Sequence, residues 1–227
     1  MRENRVKMIN FLLTCDAYTL SVTVLLVIVV LYWVFEVHYF ARTLWCATMC
    51  RILKKYVHIL DTTSFSSACL TTDVDFLLFH MNNSRYLREV DFARTEFYTR
   101  TGLWTAIREK GGLPVQGGTS IRYRKFIRTF SLYSISSRIV YWERDSIYME
   151  HRFVSRGDDF VNAIVHCRQR VINCDVEVLM NELLAKGAKE RPGDLQEAPR
   201  MKPECPLEIH HWIQANLVSS ANLRNGN

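Results

Sequence analysis

The amino-acid sequence predicts an α+β domain, an antiparallel sheet packed on one long helix, carried behind an N-terminal membrane-anchor helix. Three observations lead there. An uncharged, bulky run extends from Ala17 to Phe35. A segment opened by Asn83-Ser84 and closed by Gly102 repeats its apolar residues with the helical period at Tyr86, Val90, Ala93 and Phe97. After it come four strand-like segments with no helical one among them, the order of a meander.

Length and composition bound the rest. The chain has 227 residues, 48% of them apolar and 23% charged, which suits one ordinary domain with an appendage and excludes wholesale disorder. Its 29 basic and 23 acidic residues leave a net +6. That charge is scattered without a Lys/Arg block, so no nucleic acid is expected as a partner. Seven cysteines are an odd number. None forms a CxxC pair or sits near histidines at zinc spacing, so neither a metal site, a cofactor nor a disulfide framework is expected. Cys46 and Cys50, four apart, share one face if helical.

Residues 1–60 form the expected anchor unit. As a helix, 17–35 is about 28 Å long, close to the hydrocarbon thickness of a bilayer. Asp16 and Glu36 bracket it, and Tyr18, Tyr32, Trp33 and Tyr39 sit near its ends, where aromatic rings prefer the interface. A cleaved signal peptide, and with it a secreted protein, is the competing reading. Its apolar core would be shorter and followed by small residues, whereas here bulky residues run on to Ala41. An uncleaved anchor is therefore preferred. Arg42, Arg51, Lys54 and Lys55 after the run outnumber Arg2, Arg5 and Lys7 before it, which places the domain in the cytosol. The short span suits the endoplasmic reticulum. Residues 41–60 space Leu44, Trp45, Met49, Ile52, Leu53 and Tyr56 as an amphipathic helix, laid either on headgroups or on the domain.

Residues 61–187 form the expected domain. A strand over Ser64–Thr71 precedes the helix at 84–101, and strands follow at Thr119–Phe126, Phe130–Trp142, Ser146–Phe153 and Phe160–Val171. Turns are expected at Gly117-Gly118, Glu143-Arg144-Asp145 and Arg156-Gly157-Asp158. A helix over Val176–Lys186 stops at Gly187; residues 188–227 are a charged, proline-bearing linker and a helix over Leu207–Leu223.

Just before the long helix, Asp73, Asp75, His80, Asn82 and Asn83 crowd together. Such residues cap helices for structural reasons alone. The same place can also do chemistry, because a helix start offers unpaired N–H groups to a carbonyl oxygen and a carboxylate beside it can activate water. In sequence, D-x-x-x-x-H-M-N-N-x-x-Y-L (Asp75 to Leu87) followed by DFAR (Asp91–Arg94) resembles the hotdog-fold thioesterases of the acyl-CoA and acyl-carrier-protein branch, over about Ser64–Leu184. The anchor and EIHHWIQANLVSSANLR (Glu208–Arg224) narrow the resemblance to a membrane-anchored branch.

The resemblance implies a sheet wrapped on the long helix, a homodimer joined sheet edge to sheet edge, and a fatty acyl-CoA or other acyl thioester as ligand. It implies Asp75, His80, Asn82 and Asn83 as catalytic residues, with backbone N–H groups around Asn82–Ser84 as the oxyanion site. Ser84, Tyr86, Glu89 and Arg122 are the expected substrate contacts, Arg122 and Arg124 being placed to meet CoA phosphates. Glu89 and Asp91 lie where some members carry their acid, although Asp91 and Arg94 also suit an i, i+3 ion pair. His151 and His166, on strands, read as core or surface residues.

Two departures oppose turnover. The interval Phe76-Leu77-Leu78-Phe79 replaces a shorter one bearing a polar Asn, and the Asp-x-x-Gly turn of the bacterial branch is missing. A catalytically weak hotdog that binds acyl-CoA or a protein partner is therefore the alternative. Asn82-Asn83-Ser84 is also a glycosylation sequon, and a glycan there would block the site, which agrees with a cytosolic domain.

Overall fold

The computed structural model describes residues 2–189 and 200–226. The chain divides into two compact units, Met1–Trp45 and Cys46–Asn227.

In the first, helix α1 runs Arg2–Val34. Its Asp16–Val34 stretch is long and apolar enough to cross a membrane, with a mean hydropathy of 2.3 and none of it buried by the rest of the chain. Two hydroxyls within it are satisfied by the helix itself: Ser21 Oγ donates to Ala17 O and Thr23 Oγ1 to Thr19 O, both at 2.8 Å. Helix α2, Val37–Leu53, begins earlier and ends sooner than the expected 41–60. Beyond it, His58 and Asp61 fold the chain into a turn. The Leu60 N–H donates to His58 Nδ1 at 3.1 Å and the His58 N–H to Asp61 Oδ2 at 3.0 Å, bonds that a continuing helix could not make. Cys46 and Cys50 do share one face and are buried.

The second unit is an antiparallel sheet on one long helix, the hotdog arrangement. Strand β1 is Thr63–Ala68, followed by α3, Asn83–Thr101, and a short helix α4, Leu103–Glu109. Strands β2 (Leu113–Tyr123), β3 (Leu132–Glu143), β4 (Ser146–Ser155) and β5 (Val161–Ile172) follow, then α5 (Val176–Lys189) and α6 (Leu207–Arg224). The sheet order is β1-β3-β4-β5-β2, antiparallel throughout. Of the expected linker, residues 190–199 lie outside the described residues.

Helix α3 starts where Asn82, in extended conformation, accepts the Ser84 N–H on its side chain at 3.0 Å, and ends where Gly102 takes φ 70°. Between these caps Val90, Ala93 and Phe97 pack on Ile135, Met149 and Val165 from the inner sheet face. The expected stop at Gly102 is real, but α4 restarts directly after it and buries Leu103 and Ile107, one turn apart. Gly117-Gly118 is not a turn. β2 runs through it with a bulge between Gln116 and Gly118, since glycines in a strand also serve bulges and close approaches. The Trp212 ring of α6 lies over Gly118, where a Cβ would sit 3.5 Å from it. On this outer face Ile209 and Trp212 pack on Val140 and Tyr148.

Candidate functional site

The chain from Asp73 to Asn83 folds back on itself ahead of α3. Val74 and Met81 pair as an antiparallel bridge, and the Asp75 N–H donates to His80 O at 3.0 Å. Asp73 is the brace: buried, it accepts the Leu70 N–H on Oδ2 at 3.0 Å and the Asn82 N–H on its carbonyl at 2.8 Å. This closed loop brings Asp75 and His80 together, Asp75 Oδ2 lying 3.8 Å from His80 Nε2.

His80 has a defined tautomer. Its Nδ1 lies 3.0 Å from Met81 O, which can only accept, so Nδ1 carries the hydrogen. In the neutral ring Nε2 is then an acceptor facing the Asp75 carboxylate. Two acceptors so spaced can share the two hydrogens of a single water molecule, which polarises it for attack. The Phe126 ring stacks on the imidazole with centroids 5.5 Å apart and holds its plane.

Beside this pair opens a cavity of about 360 Å³ lined by His80, Met81, Asn83, Tyr86 and the run Tyr123-Arg124-Lys125-Phe126. Its size falls at the lower end of small-molecule sites. The Tyr123 hydroxyl donates to Asn83 O at 3.1 Å and fixes the cavity wall to the helix start. Arg124 and Lys125 both lie over the Phe160 ring, 4.8 and 5.0 Å from its centroid, which leaves two cations at the rim.

Several expected residues are placed elsewhere. Arg122 is on β2 between Ile121 and Tyr123, and strand alternation sends it to the opposite face from Tyr123. Arg124 and Lys125 line the cavity instead. Glu89 is 1% exposed and is no part of the cavity wall. It accepts from Tyr133 Oη at 2.8 Å and Ser67 Oγ at 3.0 Å, so it joins α3 to β1 and β3. Ser84 is spent on Asn82, donating through both its N–H and its hydroxyl. The Asn82 and Ser84 N–H groups are thus occupied within the loop, which narrows the expected oxyanion site to Asn83, at the cavity wall. Asp91 takes the ion pair with Arg94 at 2.5 Å, and Arg94 reaches on to Gln116. Tyr123, Lys125 and Phe126 were not singled out from sequence; the visible signal was IRYRKFIRTF (121–130), aromatic and basic together.

Other chemistries are less well served. Burial pushes the Cys69 thiol up to about 11 and the Cys46 thiol to about 12, so neither is a thiolate nucleophile at neutral pH. Among the described residues, Glu150, His166 and Glu208 lie close enough to hold a metal ion. Arg138 Nε and Arg152 Nε already sit 2.8 and 3.0 Å from the Glu150 carboxylate. Burial raises the Glu150 pKa, but hydrogen bonds from His166 and Arg152 and the Arg138 charge outweigh it and bring it to about 2. The group is an ion-pair network through which Glu208 of α6 meets the sheet.

Residues 69–213 match the family model described as the thioesterase-like superfamily. Protein THEM6 of Drosophila melanogaster is 38% identical over 201 residues, 88% of this chain and 97% of that protein. Protein THEM6 of Xenopus laevis is 38% identical over 189 residues, 83% of this chain and 85% of its own. These are proteins of thioesterase superfamily member six. Among solved structures, YbaW, a probable thioesterase from Escherichia coli, superposes with a TM-score of 0.50 at 18% identity, covering 53% of this chain and 95% of that one. That likeness concerns the fold alone.

Proposed function

The chain belongs to the thioesterase-like superfamily, and on that premise we propose that it is a membrane-anchored hotdog protein that binds fatty acyl-CoA and hydrolyses its thioester. The observation that carries this reading is the Asp75–His80 pair, 3.8 Å apart just before α3, with His80 lining a cavity. Asp75 takes a proton from a water molecule shared with His80, and the resulting hydroxide attacks the thioester carbonyl carbon. The carbonyl oxygen becomes an oxyanion facing the Asn83 N–H at the positive end of α3. When the carbonyl re-forms, the C–S bond breaks, and the proton held by Asp75 returns to the departing thiolate. The products are a fatty acid and the thiol of CoA. Arg124 and Lys125 at the rim suit the CoA phosphates.

Anchoring through Asp16–Val34, a cytosolic domain and a homodimer belong to the same reading. The exposed apolar helix supports the first and the sequon at the site the second. The unpaired edge of β2 supports the third. The test is hydrolysis of an acyl-CoA panel by the full chain in detergent, beside its Asp75→Asn variant and a binding titration. Turnover that falls on the order of 100-fold or more in the variant, with binding kept, is the expected result. Binding without turnover in the parent chain favours the alternative, an acyl-CoA-binding module, which the apolar Phe76–Phe79 interval supports.

A further inference from the structure

The loop that builds the site also carries its least water-compatible surface. Phe76 is 90% exposed, and Leu77, Leu78 and Phe79 beside it are exposed as well. Phe126, Phe130 and Leu132 extend the patch. This is not a floppy excursion. The Leu78 N–H closes a turn onto Asp75 O at 3.0 Å, Thr129 Oγ1 donates to Leu78 O at 2.9 Å, and Phe79 packs on Phe126 with centroids 5.3 Å apart.

The backbone holds the patch in place against its own preference. Among the described residues, four other than glycine have positive φ: Leu78 at 57°, Phe130 at 62°, Asp159 and Asn173. Asp and Asn tolerate that region; leucine and phenylalanine do so poorly. Both bulky cases fall in the apolar patch with their side chains in solvent. A loop that merely had to turn would use glycine or asparagine there.

Charge identifies the occupant. Directly beside the finger lies a cavity of about 480 Å³ lined by Lys125, Phe126, Arg128 and Arg156, with Asp158 as its one acid. Lys125 is ion-paired with that acid at 3.0 Å, so a second copy docked on this face would set Arg128 and Arg156 against their own equivalents, whereas an anionic surface neutralises them. We propose that Phe76–Phe79 is a membrane finger: it inserts into the interface of a bilayer containing anionic phospholipid, and the adjoining basic groove takes a headgroup phosphate. The finger lies between Asp75 and His80 in the chain, so its insertion turns the cavity mouth toward the lipid surface, where long acyl chains partition. The proposal needs a bilayer within reach, as in the reading above, and nothing of the chemistry at Asp75.

The test uses the full chain in vesicles of phosphatidylcholine and phosphatidylserine, with photoreactive benzoylphenylalanine in place of Phe76. A second chain carries it at Val178, exposed on α5. Phospholipid adducts several-fold more abundant at position 76 are expected, and Arg128→Ala should lower them by about fivefold, the share of one basic residue near an anionic surface. A covalent pair of chains formed at position 76 would overturn the proposal in favour of a subunit contact, and adducts no more frequent than at position 178 would overturn it outright. An alkaline wash of the same vesicles reads the anchor separately: loss of the chain there would sink the anchored reading while leaving the adduct comparison decisive.

Discussion

Two regions of the domain use the same residue types to opposite ends. In the loop before α3, Asp75 and His80 face each other, partly exposed, and His80 lines the cavity. In the seam beneath α3, Glu89 and His151 are buried: Glu89 accepts from the Tyr133 and Ser67 hydroxyls, and His151 Nδ1 lies 2.8 Å from the Ser137 hydroxyl. Burial, helped by the Arg94 charge, drives the His151 pKa down to about 3, so its ring stays neutral at any physiological pH. The difference is access. A carboxylate with solvent on one side can trade protons with substrate water, whereas one sealed by hydroxyls holds two elements together.

The contrast is most exposed to failure at Glu89. Glu89→Ala takes a carboxylate acceptor from the buried Tyr133 hydroxyl and the half-buried Ser67 hydroxyl and leaves a hole in the core, so urea unfolding should show a loss of about 3 kcal/mol or more. His80→Ala should do the reverse: turnover falls on the order of 100-fold while unfolding changes by only about 1 kcal/mol, the share of its Met81 hydrogen bond and Phe126 contact. A large stability loss there would mean the loop histidine is structural after all.

Acid titration reads the seam on a finer scale. His151 has its ordinary value of 6.5 in the unfolded chain and about 3 when folded, so the unfolded state takes up the extra proton between those limits. Stability is full above pH 6.5 and falls as pH drops, by up to about 1.4 kcal/mol per unit. Glu150, lowered from 4.5 to about 2, adds a second loss below pH 4.5. Melting temperature against pH checks both, and His151→Gln should flatten the limb between 6.5 and 4.5.

The smaller effects lie in the loop. Asn82→Ala removes the α3 cap and should cost about 1 kcal/mol by urea unfolding. Phe76→Ser should alter unfolding by no more than ~0.5 kcal/mol, because the ring touches so little of the domain. A larger loss would mean that the finger is a packed part of the fold.

Much of this was legible in the chain, and the limits have physical causes. Helix α3 and the four later strands follow from apolar periodicity, which burial enforces. The α4 restart after Gly102 and the bulge at Gly117-Gly118 were missed because a glycine ends one element, kinks another or admits a neighbouring ring with equal ease; here the neighbours decide, Trp212 among them. At the site, Asp75, His80 and the Asn82 cap could be named because they are close in sequence. Phe126, Lys125 and Tyr123 could not, since their bridge to the loop, His80 with Arg128, spans distant parts of the chain. Glu89 was misplaced because one turn of helix separates a cavity wall from the core.

The most direct test sets the two carboxylates against each other. Acyl-CoA hydrolysis per folded molecule, together with thermal unfolding, is measured for the full chain, Asp75→Asn and Glu89→Gln. The account predicts that Asp75→Asn loses turnover and keeps its melting temperature, while Glu89→Gln melts lower and turns over normally. Turnover kept in Asp75→Asn and lost in Glu89→Gln would contradict it, and would place the acid on the helix.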